Sequence, residues 1–349
     1  MMPENRGRQT YRKTRCVWTK VSQKTILNNR HRIEFLFPLI SLIPQIFMLK
    51  FLKKICGICE ISGRNDFRGA FGHSDPLFSH LCNTMNYEHF TRLACQAVQE
   101  TAVFIGAETG RVEPGQIEEK FLNGLVSYVD RTAEEMLVER LSRILPEAAF
   151  LTEEETVAQG EADLQWIIDP LDGTTNFLYG IPQFSISVGL KSGPDLVLGV
   201  VHHVPAGEMF YAWQGGGAWC NGKPIRVSRR AELRQALIST GFPYHNFSRA
   251  DEYFAALREF MRAGRGVRRF GSAALDLAWV AAGRFDVFFE YGLNAWDVAA
   301  GAVLVREAGG AVSDFSGGGD FIEKYEMLAC NAAVYEQALA VVRGAFGER

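Results

Sequence analysis

Cysteine is scarce in this chain of 349 residues, and it is unevenly placed. Four of the seven, Cys16, Cys56, Cys59 and Cys82, fall in the first 85 residues; Cys95, Cys220 and Cys330 are far apart in the rest. That spacing excludes a disulfide framework and fits a reducing cytoplasm. Cys56 and Cys59 form a C-x-x-C, but no second pair completes a zinc set and no strand–helix context makes it thioredoxin-like. Long apolar runs are also lacking. The only one, FLFPLISLIPQIFML at 35–49, is 15 residues long and is interrupted by Pro38 and Pro44. A membrane span needs about 20. There are no internal repeats and no low-complexity tracts. No G-x-S-x-G occurs, which disfavours a serine hydrolase. The stretch from Gly217 to Lys223 approaches a P-loop, but Pro224 stands where Ser or Thr is required and cannot supply the N–H; a hairpin turn is the better reading.

Positive charge is outnumbered in the main body. Residues 1–85 carry 14 Lys+Arg against 5 Asp+Glu, whereas the remainder carries 23 against 35. An acidic body argues against a nucleic-acid surface spread over it and suits a protein that concentrates cations. The basic, apolar-centred segment 1–85 stands apart as an N-terminal extension. It reads as the product of an upstream start, with the true beginning near Met85; a membrane anchor or a disordered basic tail are the alternatives. A cleavage site of small residues does not follow it.

From residue 86 onward the pattern becomes orderly, and 86–349 reads as one α+β domain. Phe90, Leu93, Ala94, Ala97 and Val98 recur at helical spacing. Helices are expected over 87–104, 131–145, 251–262, 274–282, 298–308 and 332–345. Strands are expected at 148–151, 165–169, 184–190, 196–203, 208–213, 236–239, 285–289, 311–313 and 327–330, with a glycine-rich hairpin at 215–225. Groups of strands alternating with helices suggest layers of sheet and helix rather than a simple βαβ succession. His202 and His203 are adjacent in a strand and point to opposite faces, so they read as structural rather than as a metal pair. Trp279 and Trp296 read as core.

The acidic residues carry the chemical signal. Asp130 and Asp297 each open a helical pattern, where an aspartate is first of all a cap. Glu153, Glu154 and Glu155 follow the strand AAFL. The stretch WIIDPLDGTTNF (166–177) is harder to dismiss: Asp169 and Asp172 share a tight turn at a strand end, stiffened by Pro170 and freed by Gly173. Two carboxylates that close repel unless a cation lies between them. Backbone N–H groups after Gly173 are placed to meet an anion. Hard oxygen ligands beside a phosphate cradle point to Mg²⁺, and two such ions can activate a water and neutralise a leaving oxygen.

WIIDPLDGTTNF, preceded by TEEE and followed far downstream by AWDVAAG, resembles the inositol monophosphatase family. Further stretches carry the likeness: LVSYVDRTAEE (125–135), GGGAWCNGKPIRVS, STGFPY (239–244), RRFGSAALDLAWVAAG (268–283) and FFEYGLNAWD (288–297). The resemblance implies a layered α-β-α-β-α sandwich and a Mg²⁺-dependent, lithium-sensitive phosphomonoesterase working as a homodimer. It implies that Asp169 bridges two metals, with Glu154 and the Leu171 carbonyl on the first and Asp172 and Asp297 on the second. A third, weaker ion also leans on Glu154. Thr174, paired with Asp130, would deprotonate the water, and the Gly173 and Thr174 N–H groups would bind phosphate. Ala273 and Glu290, with Asp172 and Asp297, would contact the alcohol part of the substrate. Inositol monophosphate is the expected substrate; fructose bisphosphate, histidinol phosphate and nucleotide 3′-phosphates are those of related branches. A binding role in ribosomal RNA transcription complexes is the alternative. The chain departs from the family in having Gly124-Leu125-Val126-Ser127 for the usual Asp-Leu-Val-Thr. Its gap between Glu154 and Asp169 is also shorter. Lys120 resembles a loop lysine of the family with its spacing one residue short.

Overall fold

The computed structural model describes residues 86–121, 124–243 and 246–347, all within the unit Met85–Arg349. The C-x-x-C and the apolar run at 35–49 lie outside the described residues.

Helix α1 (Tyr87–Glu108) starts at Asn86, whose side chain accepts the His89 N–H. Its buried stripe (Thr91, Ala94, Val98, Thr101, Ile105) repeats every three or four residues. Helix α2 (Tyr128–Ile144) buries Val129, Ala133, Leu137 and Leu141 at the same period. These two stripes pack on one face of a seven-stranded sheet, ordered β3-β4-β5-β6-β7-β8-β9. Its strands are β3 (Ala149–Thr152), β4 (Leu164–Asp172), β5 (Ser185–Ser192), β6 (Asp195–His203), β7 (Glu208–Trp213), β8 (Gly217–Cys220) and β9 (Lys223–Ile225). Only β3 and β4 run parallel; the rest form an antiparallel meander. The expected hairpin at 215–225 is β8–β9, turning through Asn221 and Gly222, both at positive φ. Ahead of α2 lies a two-stranded hairpin, β1 (Ile117–Phe121) and β2 (Gly124–Ser127). Its IEEKF strand has no apolar alternation, so nothing in the sequence pattern marked it.

The other face of the large sheet meets α5 (Ala273–Ala281) and α6 (Ala295–Glu307). Both are apolar nearly all round, because sheet covers them on two sides. Contact is close. A Cβ at Gly199 of β6 would lie 2.3 Å from the Ala300 carbonyl oxygen, so only glycine fits. Beyond the helices lies a five-stranded mixed sheet, ordered β11-β10-β12-β14-β13. It comprises β10 (Leu237–Thr240), β11 (Gly266–Arg268), β12 (Val287–Tyr291), β13 (Gly310–Ser313) and β14 (Glu326–Asn331). Helices α4 (Ala250–Ala263) and α7 (Tyr335–Phe346) close its far side around Phe260, Phe289, Phe315 and Phe346. The layers are therefore α-β-α-β-α, as the family resemblance implied.

The decoys resolve as structure. His202 and His203 are buried and meet the Glu208 and Pro182 carbonyls respectively. Trp279 packs among His203, Phe270 and Phe285. Trp296 is the exception to the core reading: it is half-buried and lines the main cavity.

Candidate active site

Strand β4 is buried from Gln165 to its end; Asp172 lines a cavity of about 170 Å³, and Asp169 lies behind it in the same acidic cluster. The turn is built by the side chains it contains. Asp169 Oδ1 accepts the Leu171 N–H at 2.9 Å. Gly173 then adopts φ 96°, and a Cβ there would meet the Gln183 carbonyl at 2.9 Å. No other residue makes this turn without strain. The chain continues into a single short helix, α3 (Thr174–Leu178), which periodicity could not reveal at five residues.

Asp297 arrives from the far side, on the first turn of α6. It is not the N-cap itself but the third helical residue, and its Oδ2 accepts the Asn294 N–H at 2.6 Å. Asp130 does the same on α2, accepting the Ser127 N–H at 2.9 Å and the Ser127 hydroxyl at 2.8 Å. The capping role expected of both aspartates is thus real, in capping-box form. Each uses one oxygen for the cap and keeps the other for the site. Asp130 Oδ1 lies 2.9 Å from Thr174 Oγ1, which is also 3.0 Å from the Leu171 carbonyl oxygen. The single hydroxyl proton serves one of them at a time.

Asp169, Asp172 and Asp297 each offer a carboxylate oxygen, and these atoms lie within 4.8 Å of one another. Burial pushes Asp169 and Asp297 well above the usual carboxylate range, and the neighbouring acids add to it. Asp172 is pushed up to about 6 by burial; the Ser272 hydroxyl at 2.7 Å and the Ala274 N–H at 2.8 Å hold it down.

Of the neighbouring glutamates it is Glu153 that lines the cavity, next to the Glu154 named from the sequence. The Glu153 charge acts on Asp169, Asp172 and Asp297. Glu154 points away and is not among the lining residues; it ion-pairs with Lys120 and is pushed up to about 7 by burial and by Glu153. The cause is backbone geometry. Thr152 ends β3, and the Glu154 N–H is tied at 2.7 Å to Glu134 on α2, which fixes the backbone that carries both glutamates. Lys120, on β1, also reaches Glu153 at 3.2 Å.

Glu134 was missed altogether from sequence. It is fully buried and accepts four hydrogen bonds from the loop that carries Glu153: the Thr152 and Thr156 hydroxyls and the Glu154 and Thr156 N–H groups. Its place on the inner face of α2, one turn after Asp130, was the available signal. On the opposite wall of the cavity lie Ala273 and Glu290, the positions expected to face an alcohol.

Three aspartates this close, with Glu153 nearby, cannot all be ionised without a counter-charge, and the ion pairs of Lys120 are with Glu153 and Glu154. Glu153 raises the cost of ionising Asp169 on top of burial, so a compensating positive charge is needed beside them. Convergent buried hard-oxygen donors of this kind fit divalent cations.

The comparisons with known proteins agree. Residues 86–345 match the inositol monophosphatase family. An inositol-1-monophosphatase of Mesorhizobium japonicum is 41% identical over 249 residues, covering 71% of this chain and 94% of that protein. A Nus factor SuhB of Pseudomonas aeruginosa is 41% identical over 256 residues, covering 72% and 94%. Among solved structures, SuhB of Bartonella henselae has a TM-score of 0.69 at 39% identity, covering 72% and 97% of the two chains. An inositol monophosphatase of Thermotoga maritima has a TM-score of 0.67 at 34% identity, covering 72% and 96%. With the layers, the acidic cluster and these likenesses together, the chain belongs to the inositol monophosphatase family.

Proposed function

We propose that this protein hydrolyses phosphate monoesters, with inositol monophosphate as substrate and Mg²⁺ as cofactor. The observation that carries the reading is the meeting of Asp169, Asp172 and Asp297 beside the Thr174–Asp130 pair. Asp169, Asp172, Asp297, Glu153 and the Leu171 carbonyl are the groups that would hold two or three cations; Glu153 takes the part expected of Glu154. When bound, such cations neutralise phosphate charge and lower the pKa of water.

The chain's own groups do the rest. Thr174 Oγ1, held by Asp130, sits where it accepts a proton from an attacking water while passing its own to Asp130. The raised pKa of buried Asp130 suits it to receive that proton. The turn at Gly173 leaves the Gly173 and Thr174 N–H groups for phosphate oxygens. Asp172 is pinned by Ser272, Ala273 and Ala274, so its position survives substrate exchange. No covalent intermediate on the protein is needed.

The experiment is phosphate release from a panel of sugar, inositol and nucleotide monoesters with Mg²⁺, with and without lithium. Turnover of inositol monophosphate, inhibited by lithium, is expected. Failure to release phosphate from any monoester would sink the reading and leave a binding role, as the name of the Nus factor relatives suggests.

A further inference from the structure

One carboxyl of the cavity is used by none of the steps above. Asp276 sits on the first turn of α5, 2% exposed, and lines the cavity. Its Oδ1 has no hydrogen-bond partner among the described residues. Leaving such a group unsatisfied is costly, and native proteins avoid it unless a ligand completes it. Its surroundings say what kind. Glu290, on β12, faces the same space and lies against the backbone of Gly241. A Cβ at Gly241 would lie 2.0 Å from Glu290 Oε1, so the chain there makes room for that carboxyl. The guanidinium of Arg269, 5.5 Å from the Phe242 ring centroid, lends positive charge to both acids.

We infer that Asp276 is a specificity residue that, with Glu290, binds hydroxyl groups on the polyol portion of the substrate. This rests on the phosphatase reading and names what that site selects. A further cation is the weaker occupant, because Arg269 already supplies positive charge there. A flat aromatic alcohol would leave the Asp276 oxygen unmet. A ring or chain bearing several hydroxyls offers donors to both acids at once. Burial pushes both carboxyls up, Glu290 to about 8. Protonated, each both gives and takes a hydrogen bond, as a hydroxyl does.

The test compares the full unaltered chain with Asp276→Leu and Asp276→Asn in Mg²⁺. Inositol monophosphate and 4-nitrophenyl phosphate are the substrates, and myo-inositol is the ligand in thermal melts. For Asp276→Leu, the KM for inositol monophosphate should rise about ten-fold or more, as when a site built for a hydroxyl loses its partner. Its kcat, and both constants for the nitrophenyl ester, should stay within about two-fold. The ligand-free melting temperature should hold or rise, since an unsatisfied buried acid has gone. Asp276→Asn, which keeps a donor and an acceptor, should recover most of the KM. Equal losses on both esters, or an unchanged KM for inositol monophosphate, would overturn the inference. If the unaltered chain hydrolyses neither ester, the phosphatase reading falls and the melts still decide. Stabilisation by myo-inositol that Asp276→Leu abolishes upholds the inference, and no stabilisation overturns it.

Discussion

Glu153 and Glu154 are chemically identical neighbours with opposite duties. Glu153 lines the cavity and faces the aspartate cluster, whereas Glu154 does not line the cavity and pairs with Lys120. Glu153→Gln should therefore lower kcat by about 10²-fold or more and weaken Mg²⁺ binding, while Glu154→Gln should cost at most about ten-fold. Mg²⁺-dependent kinetics of the two variants side by side check this; equal effects would return the ligand role to Glu154. Asp169→Asn should nearly abolish activity and leave the melting temperature of the metal-free protein unchanged or higher, because it removes a like-charge contact. Thr174→Ala should lower kcat by about 10²-fold with little change in KM, as loss of a proton-transfer group does. The opposite split would mean that Thr174 binds rather than activates.

At the scale of elements, the site is assembled where secondary structure ends. β4 supplies two acids at its carboxyl end, and the first turns of α2 and α6 supply one each. The loop after β3 supplies Glu153, but only because Glu134 on α2 ties it down from both sides. Removing that acceptor leaves four donors to find water. Glu134→Ala should destabilise the protein by about 2–4 kcal/mol. It should also weaken Mg²⁺ affinity more than Glu134→Gln, which keeps one acceptor. Chemical denaturation and metal titration of the two variants separate the contributions. The β1–β2 hairpin brings Lys120 to the same loop, so the basic side chain and the acids move as one unit only while both elements are in place.

For the molecule as a whole, the clustered acids tie stability to pH. In the metal-free fold they retain protons at a pH where the unfolded chain, titrating near about 4, has lost them. Unfolding then releases protons. The stabilisation is therefore fully present below the unfolded value. It is lost as pH climbs through the folded values, about 6 for Asp172 and about 8 for Glu290. The melting temperature of EDTA-treated protein should fall from pH 5 to pH 8, as stability is lost at about 1.4 kcal/mol per pH unit for each proton retained. Mg²⁺ binds the ionised acids, so the stabilisation that it gives should grow over the same range. A melting temperature that rises with pH in EDTA would contradict the buried-acid account.

Much of this was legible in the residues. Apolar spacing marked the long helices and the buried strands, because one-sided burial imposes a period that short-range pattern carries. Aspartates at strand and helix ends, next to a proline and a permissive glycine, marked four corners of the site. Local pattern could not tell Glu153 from Glu154, since which of two neighbours lines the cavity depends on packing against distant segments, among them a helix 20 residues earlier that holds this loop. Nor could it find Glu134, Asp276 or the polar β1–β2 hairpin, whose meaning lies in what faces them. The sequence by itself determined the elements, their order and the acids that end them, because those follow from local sterics and periodicity. Only the tertiary structure decided which carboxyls meet, which are tied off and which is left unpaired. Convergence of charges is a property of packing between distant segments.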